Sequence, residues 1–404
     1  MEIAPILQSM RRSKTGAVLV AMQIALTLAI VCNALFIVKA RIAGAKRSSG
    51  VAEDEVFQLL YAEIGEPTDP FPASQRDLRL LRAIPGVTHV AEVNSIPLSR
   101  SGWGTGITLE PNKPEASLGV SAYFSGESYV QALGLDLIEG RDFTEADVRL
   151  IDPKRGELLP DHAIVSQHLA QRLFPTESAV GKTLYLGSGP TARPMKIVGV
   201  VRTLISSDGA ERPATYDSIV FPLRSGRMHY VVRTNAADRS RVMAEAEKQL
   251  TAADNRRVFV QARTMNEIRE RRFRNERGGA NLLIAITIGL LLVTASGIVG
   301  IASLWVNQRK KQIGVRRALG ARRIDIIRYF ITENIIITTV GICLGILLAL
   351  GLNQLLVSKV ELARLPLMYV GGGTIAAWAL GLLAVLGPAW RAASVPPAVA
   401  TRST

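Results

Sequence analysis

The sequence predicts an α-helical membrane protein in which four transmembrane helices carry one large extracytoplasmic domain of mixed α/β structure. The chain has 404 residues, of which 48% are hydrophobic but only 5% aromatic, so its apolar content is mainly aliphatic. These apolar residues are concentrated in four long runs without charged side chains. A segment of about 240 residues between the first two runs alternates strand-like and helix-like patterns, which predicts an independent α/β domain.

The four apolar runs cover residues 15–38, 281–306, 335–357 and 367–388. Each exceeds the roughly 20 residues that an α-helix needs to cross a hydrocarbon layer about 30 Å thick. Lipid offers no hydrogen bonds to the backbone, and the runs lack the alternation of barrel strands, so helices are predicted. A cleaved signal peptide is the alternative for the first run. A retained anchor is favoured, because the run is longer than the usual limit of about 15 apolar residues.

The basic residues predict the orientation of the chain. Segment 307–330 carries eight Lys or Arg residues and one acid, Asp325. Short loops rich in Lys and Arg stay in the cytoplasm, which places both termini there as well. Much of the net charge of +14 therefore lies at the cytoplasmic membrane face, where anionic lipid is the expected partner and nucleic acid is not.

The outer segment, residues 39–280, is predicted to contain two β-α-β units around an inserted region. The first unit has strands at 56–64 and 87–96 with a helix at 74–84, for which Ser74 is the candidate N-cap. The second has strands at 229–233 and 258–262 with a helix at 239–251.

The complete predicted organisation follows from these patterns. Its segments are a cytoplasmic N-terminus (1–14), a first span (15–38), a β-α-β subdomain (about 50–113 and 223–263), an inserted β-rich subdomain (114–222, with strands at 196–201 and 218–221), a stalk (264–280), a second span (281–306), a cytoplasmic segment (307–330), a third span (331–357), a fourth span (367–388) and a cytoplasmic tail (389–404). Gly278 and Gly279 are the candidate weak point of the stalk, and a flexible linker is the alternative.

Sequence motifs of catalysis and metal binding are missing. Gly181, Lys182 and Thr183 suggest a phosphate-binding loop, but Thr176 stands where that motif needs its first glycine, so a turn is predicted. The four histidines form no metal-ligating spacing, and no nucleophile elbow is present. We therefore predict no catalytic, cofactor-binding or metal-binding residues.

The predicted spans carry polar residues but no charge within the four apolar runs, which argues against an ion-coupled transporter. Their amides are expected to form hydrogen bonds between helices; they belong to Gln23, Asn33, Asn281, Asn353 and Gln354. Small residues that permit close helix packing are Gly297, Gly300, Gly341 and Gly345. Cys32 and Cys343 are interpreted as packing residues.

Segment 307–330 is the most informative part of the chain. It places Val315, Leu319, Ile324 and Ile327 among dense positive charge, with Gly314 and Gly320 expected to interrupt a continuous helix. This pattern predicts a short amphipathic helix at the membrane surface that docks onto a partner. A loop that only sets the topology is the alternative.

Several segments resemble the FtsX/MacB-type permeases of the ABC transporter superfamily, with the type VII architecture. They are QIGVRRALGARRIDII after the second run, LGPAWRAASVPPAVA after the fourth, and YFSGESYVQALGLDLIEGRDFTEAD, AIVSQHLAQRLFPTESAVGKTLYLG and KIVGVV in the outer domain. The order of one span, an outer domain and three further spans is also similar to that family.

The resemblance implies an inner-membrane export permease that has no ATPase activity of its own. An ATP-binding cassette ATPase holding ATP and Mg²⁺ would move a coupling helix, and stalk helices would pass the movement to the periplasmic domain, a mechanism called mechanotransmission. The implied coupling residues are Gln312, Ile313, Gly314, Val315, Arg316, Arg317, Ala318, Leu319, Gly320, Arg322 and Arg323. Because the first span begins about fourteen residues into the chain, the ATPase is expected on a separate polypeptide.

The resemblance also implies partners and leaves alternatives open. A second permease, identical or not, is expected to pair across the first two spans, where Ile24 and Ile298 are candidate contacts. A periplasmic adaptor and an outer-membrane channel are further candidates, with a drug or peptide as substrate. Gln312 stands where relatives often have Glu, which puts one ion pair with the ATPase in doubt. The alternative function is an FtsX-like regulator that activates an envelope enzyme; a membrane-anchored enzyme would instead show activity in fragment 45–275, and none is expected.

Overall fold

In a computed structural model of the chain, residues 14–64, 70–111, 118–151, 160–210, 212–226, 229–254, 256–360 and 364–395 are described. Most of the predicted N-terminal segment 1–14 and the end of the tail 389–404 lie outside these residues. The chain divides into two compact units. One contains Met1–Ala43 with Glu276–Thr404, and the other contains Gly44–Asn275.

The helices and the strands of the described residues are numbered separately, each in chain order. The helices are α1 (Lys14–Ala45), α2 (Pro70–Arg82), α3 (Tyr129–Leu133), α4 (Gln167–Leu173), α5 (Arg239–Ala253), α6 (Met265–Gln308), α7 (Lys310–Ala318), α8 (Arg323–Val360) and α9 (Leu367–Ala393). The strands are β1 (Val56–Glu63), β2 (Val87–Glu92), β3 (Trp103–Thr108), β4 (Leu118–Phe124), β5 (Leu137–Gly140), β6 (Arg149–Leu150), β7 (His162–Ser166), β8 (Thr183–Leu186), β9 (Arg193–Val201), β10 (Ser218–Phe221), β11 (Leu223–Arg224), β12 (His229–Thr234) and β13 (Arg257–Thr264).

Within the described residues, four helices are long and apolar enough to cross a membrane: α1, α6, α8 and α9. A larger share of α1 is buried than of the other three, so α1 forms the centre of this unit. Close packing onto α1 depends on glycine. A Cβ atom at Gly341 would lie 2.8 Å from the Ala21 carbonyl oxygen, and one at Gly345 would lie 3.0 Å from that of Ala25. These two glycines of α8 therefore allow the backbones to approach, as the sequence predicted.

Polar side chains join the helices of this unit. The Gln23 amide donates to the Val293 carbonyl at 3.0 Å, and the Asn33 amide donates to that of Ala349 at 3.1 Å. Asn353 accepts a hydrogen bond from the backbone of Leu365 at 2.9 Å. The predicted hydrogen bonds between spans are therefore confirmed for Gln23 and Asn33, while Asn353 bonds the segment leading into α9.

The described residues of the second unit, Gly44–Asn275, which we call the outer unit, form two large sheets and a two-stranded sheet of β6 and β11. The four-stranded sheet has the order β13-β1-β12-β2, with antiparallel neighbours throughout. Helices α2 and α5 cover one of its faces and bury Leu78, Leu81 and Val242 there. The chain between β2 and β12 forms a seven-stranded sheet with the order β5-β9-β7-β10-β4-β3-β8.

Two predicted features of the first sheet are wrong. Ser74 does not cap a helix, because α2 already begins at Pro70; its buried hydroxyl donates to the Glu92 carboxylate at 2.7 Å. Strand β2 ends at Glu92 rather than at Ile96. Beyond it, Asn94 accepts a hydrogen bond from the Phe124 amide at 2.7 Å, so the chain leaves the first sheet for the second.

The outer part of α6 packs into the main core of the outer unit. Met265, Ile268 and Phe273 are buried there with residues from both sheets and with Ala45 at the end of α1. Helix α6 continues without interruption through Gly278 and Gly279. Both glycines therefore have helical backbone, and the stalk over residues 264–280 stays a prediction.

Candidate coupling site

A short helix, α7, occupies the basic segment between α6 and α8. It ends where Gly320 adopts a positive φ of 95°, which suits glycine because it has no Cβ. The amides of Gly320 and Ala321 bond the carbonyls of Arg317 and Arg316 at 3.2 and 3.1 Å, which closes the helix. Gly314 lies inside α7 and is buried, so the prediction that it interrupts the helix is wrong.

The next helix begins directly after this turn. The Arg322 amide donates to the Asp325 carboxylate at 3.0 Å, which satisfies one of the free N–H groups at the start of α8. The negative charge in this first turn also suits the helix dipole. Local sequence therefore explains both the end of α7 and the start of α8.

One face of α7 packs against the ends of the neighbouring long helices α6, α8 and α9. Ile313 is only 5% exposed and belongs to a small apolar cluster. Its other buried members are Val306, Ile326, Phe330, Ala389, Ala392 and Ala393. The Arg317 guanidinium donates to the Val395 carbonyl at 2.7 Å, just beyond the end of α9. The inner face of α7 thus contacts the neighbouring ends of three helices.

The opposite face of α7 and its turn expose apolar side chains. Leu319 is 83% exposed, Val315 49% and Ile324 47%. Exposed polar and charged residues surround them: Lys310, Lys311, Gln312, Arg316, Arg322 and Arg323. Of the four apolar anchors predicted from the sequence, three lie on this exposed side, whereas Ile327 packs partly against the inner cluster.

A buried ion pair joins the start of α7 to α8. Arg309 Nη1 lies 2.8 and 3.0 Å from the two carboxylate oxygens of Glu333, and these side chains are 15% and 1% exposed. The Arg309 guanidinium also lies over the Trp305 ring, 5.9 Å from its centroid. Sequence reasoning missed this pair, although Glu333 falls in the predicted segment 331–357. The signal that could have found it is an acid directly beside a long apolar run.

The phosphate-loop-like residues and a histidine considered in the sequence analysis have ordinary structural contacts. Gly181 lies in a turn with a φ of 86° before β8, and Lys182 pairs with Glu177. His168 bonds the buried Asp217 at 2.9 Å. Among the described residues, no group of three or more His, Cys, Asp and Glu side chains could hold a metal ion.

Ile24 and Ile298 are buried within the chain's own apolar core, so they cannot be the exposed contacts expected for a second copy.

The fold and this segment define a class of protein: a permease with four helices that could span a membrane and a large α/β domain inserted after the first. Two protein-family models match the chain. The model of the MacB-like periplasmic core domain matches residues 21–271, and the model of the FtsX-like permease C-terminal domain matches residues 284–397. The chain belongs to the MacB-like, FtsX-like family of ABC transporter permeases.

Individual relatives agree with this assignment. The chain is 27% identical to the macrolide export ATP-binding/permease protein MacB of Acinetobacter baylyi, over 67% of this chain and 41% of that protein. It is 25% identical to the pyoverdine export ATP-binding/permease protein PvdT of Pseudomonas fluorescens, over 88% of this chain and 52% of that protein. The chain thus spans about half the length of the curated relatives it matches.

Solved structures of outer domains also align with the chain. The periplasmic region of MacB from Actinobacillus actinomycetemcomitans aligns over 55% of this chain and 93% of that structure, at 13% identity and a TM-score of 0.33. The extracellular domain of the transporter YknZ from Gram-positive bacteria aligns over 50% of this chain and all of that structure, at 16% identity and a TM-score of 0.32.

Proposed function

We propose that the chain is the permease subunit of an ABC-type export system whose ATPase docks on the exposed face of α7. The single observation that carries this proposal is the division of α7 into two faces. Ile313 packs inward, while Val315 and Leu319 remain exposed amid positive charge. An exposed apolar anchor surrounded by charge suits a protein interface with a polar rim, since such anchors supply most of the binding energy.

The contacts around α7 support mechanotransmission. Movement imposed on the exposed face would reach α8 and α9 through Ile313 and through the Arg317–Val395 hydrogen bond. Arg309 follows α6 directly, and α6 continues as one helix to Met265. Since Met265 and Phe273 are buried in the core of the outer unit, a displaced α6 would carry that core with it.

The rest of the proposal concerns location and partners. The chain is an inner-membrane protein with residues 44–275 in the periplasm. The substrate is already in the periplasm when the export system takes it up. The ATPase, a separate subunit, supplies ATP and Mg²⁺ chemistry. A second permease completes the membrane part, and a periplasmic adaptor with an outer-membrane channel completes the export path. The substrate is a drug, a peptide or another periplasmic compound.

Replacing Leu319 with Asp tests the docking surface. A charged side chain at the centre of the interface should lower co-purification of the ATPase with the tagged full chain by about tenfold or more. The measurement is quantitative mass spectrometry of an ATP-binding cassette ATPase in affinity eluates. The matched control is Leu150→Asp, which changes another strongly exposed leucine, in the outer unit. Equal recovery of the ATPase by Leu319→Asp and the wild type would refute the docking surface.

Cysteine labelling tests the proposed orientation. In a background with Cys32 and Cys343 replaced by Ala, Leu319→Cys should resist a membrane-impermeant maleimide in spheroplasts and react after permeabilisation. Ser101→Cys, on an exposed part of the outer unit, should react in intact spheroplasts. Labelling of Leu319→Cys in intact spheroplasts would place α7 outside, where no ATPase could reach it.

A further inference from the structure

The Arg309–Glu333 pair is not readily explained by stability alone. Both side chains are largely buried, so both lose most of their hydration. In a buried ion pair this loss offsets the attraction between the charges, and an apolar pair of similar size often holds a fold equally well. A pair of this kind is better suited to fix one relative position of two elements, because its geometry is directional.

The position of Arg309 gives the pair its significance. Arg309 is the single residue between α6 and α7, and its φ of −102° and ψ of 11° depart from helical values. Its amide bonds the Trp305 carbonyl at 3.1 Å, and its own carbonyl accepts from Ile313 at 2.9 Å. The backbone of Arg309 therefore closes one helix and opens the next, and its side chain ties that junction to α8.

Among the described residues, four contacts consequently attach α7 to the neighbouring long helices. The Arg309–Glu333 pair holds its start, and Ile313 holds its middle. The Arg316 guanidinium lies over the Tyr329 ring of α8, 5.3 Å from its centroid, and the Arg317–Val395 hydrogen bond holds the end of α7. Without the first attachment, α7 would still be docked by the other three. Its start could then pivot at the non-helical Arg309 without displacing α6.

We infer that Arg309 and Glu333 are positioning residues that couple the tilt of α7 to the displacement of α6. This inference rests on the proposed function, because it assumes an ATPase on the exposed face of α7. Because both side chains are largely buried, the pair acts through the helices it joins. It determines how much of the movement of α7 is transmitted to α6 and thence to the outer unit.

The decisive variant is Arg309→Gln/Glu333→Gln. It removes the ion pair and leaves no unpaired buried charge, so the protein should fold and retain its ATPase. The measurement is hydrogen–deuterium exchange of the full chain with its co-purified ATPase in nanodiscs, with and without ATP plus vanadate. The readout is the nucleotide-dependent change in exchange at residues 265–275 and at residues 310–318.

In the wild type both regions should respond to ATP plus vanadate. In the double variant α7 should still respond, while the response at residues 265–275 should fall about tenfold, within the range that mutations in a coupling network produce. Arg328→Gln, which removes an exposed cation from α8 outside the docking surface, should behave like the wild type. The charge-swapped Arg309→Glu/Glu333→Arg variant should recover at least part of the response, since an ion pair can form again.

The possible outcomes separate the inference from the proposed function. A double variant that transmits the response to residues 265–275 as the wild type does overturns the inference. A double variant that no longer retains the ATPase also overturns it, because the pair would then support docking. A wild type that retains an ATPase but shows no response at α7 refutes the proposed function itself, and the inference with it.

Discussion

Arg269 and Glu53 form a bidentate ion pair in the outer unit, with Arg269 Nε 2.7 Å from Glu53 Oε2 and Arg269 Nη2 hydrogen-bonded to Glu53 Oε1. The third guanidinium nitrogen, Nη1, donates to the Ala45 carbonyl at 2.9 Å. Arg269 belongs to α6, Ala45 ends α1, and Glu53 precedes β1. One side chain therefore links the ends of two long helices to the start of the first sheet.

Glu53→Gln should weaken this link. The substitution leaves a largely buried guanidinium without its carboxylate, and hydrogen bonds to charged groups contribute about 1.5–3 kcal/mol each. We expect the free energy of unfolding to fall by about 2 kcal/mol, measured by thermal melts of the full chain in detergent. Glu55→Gln is the matched control, because its pair with Arg233 is more exposed and should contribute less than about 1 kcal/mol. Equal shifts for the two variants would argue against a special role for Arg269.

The membrane helices could be predicted from sequence because lipid leaves few alternatives to a long apolar run. The outer strands were harder. Strand β3 carries Gly104 and Gly106, which lower its strand propensity, and it forms because β4 and β8 pair with it. Only tertiary contacts select Ile313 as the buried apolar side chain of α7, since its partners Ala389 and Ala392 lie far along the chain.

Asp77 of α2 and Arg257 of β13 form a fully buried ion pair. Asp77 also accepts a hydrogen bond from the Tyr230 hydroxyl at 2.8 Å. Burial, and next the Asp77 charge, raise the pKa of Tyr230 far above its usual range, so its hydroxyl remains a donor. Asp77→Asn leaves an uncompensated buried cation and should destabilise the protein by about 3–5 kcal/mol in chemical or thermal unfolding.

The control for Asp77 is Asp136→Asn, which breaks an exposed pair with Arg202. It should cost no more than about 1 kcal/mol. The double variant Asp77→Leu/Arg257→Met should recover much of the lost stability, because it removes both charges together. A single variant as stable as the control would contradict the buried-pair assignment.

Asp147 should make the outer unit sensitive to acid. Its hydrogen bonds from Arg141, at 2.6 and 3.1 Å, and from the Thr144 amide hold the pKa of Asp147 well below its usual range. A lowered carboxyl pKa stabilises the fold above the unfolded pKa of about 3.9, and this stabilisation is lost as the pH falls towards the folded pKa. Since Arg141 is half exposed, we expect a contribution of about 1 kcal/mol at neutral pH.

The measurement compares wild type and Asp147→Asn by thermal melts between pH 7 and pH 3. The difference in stability should be constant near neutral pH and should shrink below about pH 4. The series should be repeated in a His162→Gln background, because His162 Nδ1 also lies 2.9 Å from Asp147 Oδ1. A difference that grows towards low pH would have the wrong sign for this carboxylate.

The close approach of α8 to α1 gives a prediction with a control on the same helix. A Cβ atom at Gly341 would lie 2.8 Å from the Ala21 carbonyl oxygen and 3.0 Å from Cβ of Ile24, whereas one at Gly351 would have no neighbour within 4 Å. Gly341→Ala should therefore push the two helices apart and cost about 1–3 kcal/mol, since backbone cannot move aside cheaply. Gly351→Ala should be neutral or stabilising by up to about 1 kcal/mol, because alanine is the better helix former. Thermal unfolding of the full chain in detergent separates the two outcomes, and equal melting temperatures for both variants would show that α8 does not pack against α1 through Gly341.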